Sequence, residues 1–585
     1  MKILVVNLLR LGDVISMAPA LKALRMAQPN AQIDLLVNAG VETVTPIIPG
    51  ISQVHVFERT RMQSALVDGS RPMFESFDVL GRLVERLSEE KYDVLYNFTH
   101  NRLSGWLCGL IPAGKKIGLA LDGAGGVSFG SAWFRHLNQQ VDFEEAQCFH
   151  HSDVFFAAVG GLAVQREQAL SDRRVLDGVL CETTKGRSEA TVLLKSVSAT
   201  MTGERSPLVL MQISTSDRKK EWGDQQFRTL ARHLLNRHSN ATIFVLGASS
   251  EETRIQNFCR SVESDQDRLI PAICSLEAVV SLLESADVLI TGDTSIKHIA
   301  SASTARVIEL AVGSSDPFRT GPWKSGDVVI AGREACRPCG HSEGCHRESH
   351  FCATAIDVEE VAVIVDSYIL EPETVAKARA SIVEKFDVFV VDRSEGLVQL
   401  NRLNGPGVKH GASDREIAVS VERTARRLIL ESKDGRLDRM TMGSEIRFAY
   451  LAIKQKFPHS AVLDFRHSLN SADITLRHSD GMVRSLRLQL DRVKESIQDP
   501  KRLHELVSSI AVMRSRLGAS PWTAFIVEPL LSVLEDDRSA PFTRYRRLAD
   551  TVGDLELRIE MALKLIRGLE IEIENELESD LDNEL

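Results

Sequence analysis

The feature that most constrains this chain is an alternation. Apolar runs of strand length are followed by amphipathic stretches of helix length, in two successive series. Parallel strands can be joined only by a crossover, and the crossover is usually a helix, so this pattern specifies a parallel sheet wrapped by helices. In the first series the strands are predicted at residues 2–8, 32–37, 54–57 and 93–98. Helices fall at 14–27, where Ile15, Ala18, Leu21, Leu24 and Arg25 form a mostly apolar face, and at 74–90. The second series has strands at 208–213, 242–246, 268–273, 288–291 and 307–310, with helices at 224–237 and 276–285. A passage rich in Gly, Ser, Thr and charge, 181–205, separates them and reads as a linker.

A chain of 585 residues exceeds the roughly 250–300 at which one core stops growing, so several domains are expected. The expected organisation is α/β: a Rossmann-like domain at 1–180, a second at 206–370, and a mainly helical extension at 371–585 with a strand-like stretch at 386–391. With 43% hydrophobic and 26% charged residues, the chain is neither disordered nor fibrous. A net charge of -10 argues against nucleic acid as the main partner, since phosphate neutralisation needs clustered cations. The apolar run from Ile3 to Leu9 is cut by Arg10 and Asp13, too soon for a membrane span or secretory signal, so a cytoplasmic location is expected. The nine cysteines should then be mostly reduced, and a tight cluster of them favours metal over disulfides.

Ligands of such sheets sit beyond the carboxyl ends of the strands, so the loops there carry the functional expectations. The first loop places Arg10, Gly12 and Asp13 between strand and helix. Gly12 suits a sharp turn; Asp13 is either a helix N-cap or a cleft carboxylate able to take a proton from an attacking hydroxyl. In the second series, Thr215, Ser216 and Lys220 lie in a loop of hydroxyls and cations suited to a diphosphate, or else forming a solvated charged turn. It lacks the GxxxxGK pattern of a P-loop. Asp293, Thr294 and Ser295 make a turn into a helix that carries His298, where backbone N–H groups converge. A His in that position is more often a structural hydrogen-bonder than a catalyst. Arg319 lies in a turn-rich loop at the same sheet edge.

Four ordered signatures, each after a predicted strand, resemble glycosyltransferase family 9, the ADP-heptose:lipopolysaccharide heptosyltransferases of GT-B fold. They are LGDV at 11–14, TSxxxKxW at 215–222, GDTxxxHxA at 292–300 and SDPxRTGP at 315–322, and the likeness spans about residues 1–370. The resemblance implies an inverting transfer without a catalytic metal or other cofactor. In it Asp13 is the general base, Lys220 holds the donor phosphates, and Thr215 and Ser216 form a hydroxyl pair. Asp293, Thr294 and His298 line the nucleotide side, with Glu251 or Glu252 on the donor ribose. Metal independence has separate support: the one DxD of this region, residues 265–267, precedes a strand and so sits at the wrong sheet end. Leaving-group charge then falls to Lys220, amides and Arg319. Two positions depart from the family pattern: Ser295 where many members have Gly, and Asn7 where Arg is common. The implied donor is ADP-heptose, and the acceptor lipopolysaccharide core or a protein. Peripheral contact with the inner membrane face is compatible with such an acceptor.

Cys336, Cys339, Cys345 and Cys352, with His341, His346 and His350 nearby, have spacing suited to a structural zinc or iron, the bland alternative being free thiols or disulfides. Near the carboxyl end, Tyr545, Leu548, Val552, Leu555, Ile559, Ala562, Ile566, Leu569 and Ile573 recur at spacings of three and four. That seam, 545–573, is either a coiled coil for self-association or the buried stripe of a local helical domain. The all-acidic charges after Gly568 suggest a frayed end. A rival to the enzyme reading is a degenerate nucleotide-sugar-binding scaffold working through its helical region; retention of Asp13, Lys220, Asp293 and His298 together counts against it.

Overall fold

The computed structural model describes residues 1–62, 73–139, 149–167, 177–198, 206–262, 267–334, 336–340, 345, 350–370, 385–393, 396–403, 414–434, 462–494, 508–513, 515–516, 530 and 541–584. The chain divides into two compact units: residues 1–138 with 149–405, and residues 139–148 with 406–585.

The first unit holds two sheets. β1 (Lys2–Asn7), β2 (Gln32–Asn38), β3 (Gln53–Phe57), β4 (Tyr92–Asn97) and β5 (Ala113–Gly118) form a parallel sheet in the order β3-β2-β1-β4-β5. A short hairpin, β6 (Ala120–Leu121) and β7 (Val127–Ser128), follows. The second sheet contains β8 (Leu208–Gln212), β9 (Thr242–Gly247), β10 (Leu269–Ile273), β11 (Val288–Thr291), β12 (Arg306–Ala311) and β13 (Val328–Gly332), all parallel. Its order starts β10-β9-β8-β11-β12-β13. The central strands are buried along their whole length, as strands covered by helices on both faces must be. In each sheet the order reverses beside the first strand, which creates a switch point between β1 and β4 and another between β8 and β11. These are the helix-wrapped parallel sheets expected from the pattern, in the GT-B-like α/β arrangement that the family resemblance implies.

Four features differ from the sequence reading. The predicted helix at 14–27 is two helices, α1 (Leu11–Ser16) and α2 (Ala18–Ala27), because Pro19 opens the second and cannot continue the first. α3 (His151–Ala158) follows in the first sheet's layer. The passage read as a linker contains α4 (Thr184–Ser198), whose Gly186 lies so close to the Glu277 carbonyl that a Cβ would be 2.3 Å from it. The hydroxyl of Thr183 and the ammonium of Lys185 also donate to Glu277, at 2.5 and 2.9 Å. Composition gave loop-like residues; the contact needed them small and polar. The second sheet also runs past residue 370: β14 (Phe386–Asp392) adds antiparallel to β13, and β15 (Gln399–Arg402) to β14. The remaining helices used below are α5 (Asp224–Arg237), α6 (Glu252–Ser261), α7 (Leu276–Ser285), α8 (Ser295–Ala300) and α9 (Pro317–Thr320).

The fourth difference is in the second unit. Its described residues are mainly α10 (Asp414–Lys433), α11 (Val462–Lys494) and α12 (Pro541–Glu584). The seam residues of α12 from Leu548 to Ile573 are buried within this unit against Val421, Ala425 and Leu428 of α10 and Leu469, Leu476, Val483 and Leu490 of α11. Of the two readings of the seam, the buried stripe of a local helical domain is the one this unit shows: the stripe packs in its own bundle, where α11 carries a matching stripe. Tyr545's side chain lies outside the described residues. The backbone of α12 stays helical to Glu584, with Leu569 and Ile573 buried, where a frayed end was expected. Inside the bundle Glu422 pairs with Arg558 at 3.0 Å and Arg426 at 3.3 Å, a fully desolvated ionic cluster. No described helix is long and apolar enough to cross a membrane.

Candidate functional site

The loop after β1 is held by its neighbours. Thr99, just after β4, accepts from Leu8 N–H at 2.7 Å, and Asn38, at the end of β2, donates to the Leu8 carbonyl at 2.6 Å. Asn7, the residue flagged as a departure, accepts from Leu9 N–H at 3.2 Å and donates to the Asp13 carbonyl at 3.2 Å, tying strand, loop and α1 together. Asp13 falls in the first turn of α1, not at the N-cap, and its carboxylate accepts one bond, 3.1 Å, from the backbone N–H of exposed Arg10. Burial pushes the Asp13 carboxyl up to about 6; the Arg10 N–H opposes this, and Asp293 adds to it, while Lys220 works against it. Asp13 thus stands within electrostatic reach of groups on the second sheet.

Gly12 has another reason than the turn expected of it. Its φ is not in the left-handed region, but a Cβ there would stand 2.9 Å from His298 Cδ2 and 3.6 Å from Ser295 Cα. The glycine lets α1 meet α8 across the cleft. Ser16 Oγ reaches His298 Nδ1 at 3.3 Å, and His298 stacks on Trp323 at 5.4 Å. Burial holds the His298 imidazole neutral, well below its ordinary range. It is a buried joint between the two sheets rather than a proton carrier.

On the second sheet, the hydroxyl of Thr215 donates to the Asp217 carbonyl at 2.6 Å, so it shapes the loop after β8, while Ser216 is exposed. Trp222 closes that loop as a buried anchor, its indole N–H on the Ile356 carbonyl at 3.3 Å. Lys220 is buried at 6% exposure, and its ammonium donates to Asp293 Oδ2 at 2.5 Å. Asp293 Oδ1 accepts from Lys297 at 2.7 Å. Lys297, fully buried, also donates to Glu309 of β12 at 2.8 Å, and Ser315 donates to the same Glu309 oxygen at 2.9 Å. Burial alone would raise the Asp293 carboxyl, yet Lys297 and Lys220 hold it far below its ordinary range. Asp293, which the resemblance puts on the nucleotide side, is thus clamped between two lysines. Thr294 stands at the N-cap position of α8 without a side-chain cap bond; its hydroxyl lies 2.9 Å from that of Thr291 instead. Gly292 lets the loops touch, since a Cβ there would stand 2.9 Å from the Lys220 carbonyl.

The two glutamates after β9 separate. Glu251 accepts from the Ser214 hydroxyl and from Ala248 N–H, the latter at 2.9 Å, which turns it onto the end of β8. Glu252 is exposed and accepts from Gln256 at 2.9 Å on the outer side of α6. Arg254 fixes this arrangement through Glu221 at 2.8 and 3.0 Å and Asp224 at 2.7 Å. Arg319 pairs with Asp316 at 3.2 Å and lies near enough to His100 and His151 of the first sheet to disfavour their protonation, on top of burial. His150, N-cap of α3, reaches the Gly321 carbonyl at 2.9 Å; burial drops its imidazole to about 4.

Cys336, Cys339, Cys345 and Cys352 line one pocket with Lys219 and His350, all as free thiols. Cys352 Sγ accepts from Gly313 N–H at 3.4 Å. Among the described residues no group of three or more His, Cys, Asp or Glu stands in a metal-holding arrangement. His341 and His346, and residues 265–266 of the DxD, lie outside the described residues.

The sequence reading missed Lys297, Glu309, Ser214 and His150. A signal existed for the first two: each is a lone charge inside an apolar run, SIKHIA and RVIELA, and such a charge needs a partner.

Two doubly wound sheets that bring a carboxylate from one and a clamped lysine from the other to a shared cleft have the build of a GT-B-type glycosyltransferase. Residues 80–349 match the model of glycosyltransferase family 9 (heptosyltransferase). The chain carries a family 9 domain and is a glycosyltransferase. It is 22% identical over 395 residues to lipopolysaccharide heptosyltransferase 1 of Pseudomonas aeruginosa, covering 64% of this chain and 99% of that protein. Among solved structures, ADP-heptose lps heptosyltransferase II of E. coli superposes with TM-score 0.45 at 17% identity, covering 64% of this chain and 100% of the other. A family 9 glycosyltransferase of Veillonella parvula superposes with TM-score 0.43 at 19% identity, covering 56% and 85%.

Proposed function

We propose that this glycosyltransferase moves heptose from ADP-heptose onto a hydroxyl of lipopolysaccharide core or a protein, with inversion and without a catalytic metal, in the cytoplasm or at the inner membrane face. The acceptor oxygen attacks the anomeric carbon as its proton passes to Asp13, and the bond from that carbon to the β-phosphate oxygen breaks. Lys220 meets the charge left on the diphosphate. Glu251, rather than Glu252, is the carboxylate for the donor ribose, because it turns onto the end of β8. The observation that carries the reading is the raised carboxyl of Asp13 within reach of the Lys220–Asp293 pair. The name of the P. aeruginosa relative supports the sugar and the acceptor class. Transfer by purified protein, assayed with a panel of nucleotide sugars in EDTA, tests it: turnover with ADP-heptose alone supports it, and turnover that needs added magnesium refutes the metal-free step. The four cysteines, which share one pocket, are proposed as a structural zinc or iron site. Elemental analysis showing no metal in protein purified without chelator would end that part.

A further inference from the structure

Lys220 is the proposed contact for the donor diphosphate, yet it already faces a full carboxylate charge on Asp293 at 2.5 Å. An anion that neutralised Lys220 completely would compete with the donor for it. The structure contains a way round this. Asp293 gives one oxygen to Lys220 and the other to Lys297, and Lys297 is in turn shared with Glu309. Lys297 and Glu309 both have side-chain exposures of 0%, so no solvent ion can substitute for either. Glu309 Oε1 takes both Lys297 and Ser315, while Oε2 is buried without a hydrogen-bond partner among the described residues. A buried ionic chain left with an unsatisfied oxygen is expensive, and a well-packed apolar pair would serve stability as well or better. Its geometry makes sense as a charge divider.

We propose that Lys297 and Glu309 are positioning residues that set, through Asp293, how much positive charge Lys220 presents to the donor diphosphate. Lys297 draws Asp293 away from Lys220, and Glu309 limits how strongly it does so. The inference rests on the reading of Lys220 as the diphosphate contact, and the test separates the two.

The opposing roles give opposing signs. Lys297→Met leaves Asp293 wholly to Lys220, and ADP should bind about tenfold more weakly, the scale of one buried charge interaction at high effective dielectric. Glu309→Gln keeps the shape and the bonds to Lys297 and Ser315 but removes the charge. The Lys297 charge is then answered mainly by Asp293, and ADP should bind roughly threefold more tightly by the same argument. Titration calorimetry with ADP, and with adenosine as the diphosphate-free control, reads both; adenosine affinity should not move. A structural role alone would weaken ADP and adenosine together in both variants, and that result overturns the proposal. So does unchanged or weaker ADP binding by Glu309→Gln, which decides the matter alone if Lys297→Met fails to fold. Lys220→Ala is the check on the underlying reading: if it leaves ADP affinity unchanged, the diphosphate assignment fails instead.

Discussion

Each sheet of the first unit carries a Gly-Asp pair beyond the end of a strand: Gly12-Asp13 in the first turn of α1, after β1, and Gly292-Asp293 in the turn between β11 and α8. Their carboxyls have opposite fates. Asp13 is desolvated, receives one backbone N–H, and rises to about 6. Asp293 is equally short of water but touches two ammonium groups and is pressed far below its ordinary range. Desolvation raises both; the difference is whether a cation stands within bonding distance. The same dipeptide therefore carries a carboxyl with a raised pKa in one sheet and a fixed anion in the other.

The comparison can be broken most severely at Asp293. Asp293→Asn strands two buried cations, and stability should fall by about 3–5 kcal/mol in denaturant titration, the usual cost of removing one partner from a buried pair. Because its folded pKa is depressed, the carboxylate stabilises the protein above its ordinary value of 3.8, and this contribution is lost only as pH falls below that toward the folded pKa. Loss of stability near neutral pH in the native protein would contradict the clamp.

Asp13→Asn should cut transfer by roughly 100-fold while ADP affinity and stability hold, the pattern of a lost general base. Wild-type turnover would return Asp13 to a purely local role in its helix turn.

Gly12→Ala sharpens the question of what the first Gly-Asp turn is for. A methyl 2.9 Å from the buried His298 ring has no room, since Trp323 and Ser16 hold that ring. The cost should be about 1–3 kcal/mol of stability, as for other overpacked sites, despite the better helix propensity of Ala. A more stable variant in thermal melts would show that the cleft gives way there.

The smallest effect expected is on the pH profile. With Asp13 near 6 as base, kcat/KM should level off above about pH 7, drop roughly fivefold between pH 6 and 5, and approach a tenfold fall per pH unit below that, as a single protonation requires. Asp293 does not titrate in this window, but its charge helps to raise Asp13, so Asp293→Asn should move the inflection to lower pH without abolishing it, whereas a profile flat down to pH 4 removes Asp13 from the role.

The sequence by itself determined the strand and helix alternation, the two doubly wound sheets, and the loops where chemistry is placed. These depend on periodicity, turn residues and apolar runs, all local quantities. It also carried the charges in SIKHIA and RVIELA that ask for partners. What it left undecided were pairings across distance. Asp293 meets a lysine 73 residues earlier in the chain, and Ser16 meets a histidine 282 residues later. Glu251 differs from Glu252 because Ser214, 37 residues earlier, and the Ala248 N–H bind its carboxylate, while Glu252 meets only its own helix. The seam of α12 looked ready for another chain until α10 and α11 covered it. Only tertiary structure decided these, because burial and a charged partner set what a carboxyl or an apolar stripe does, and both are supplied by residues that local pattern does not link.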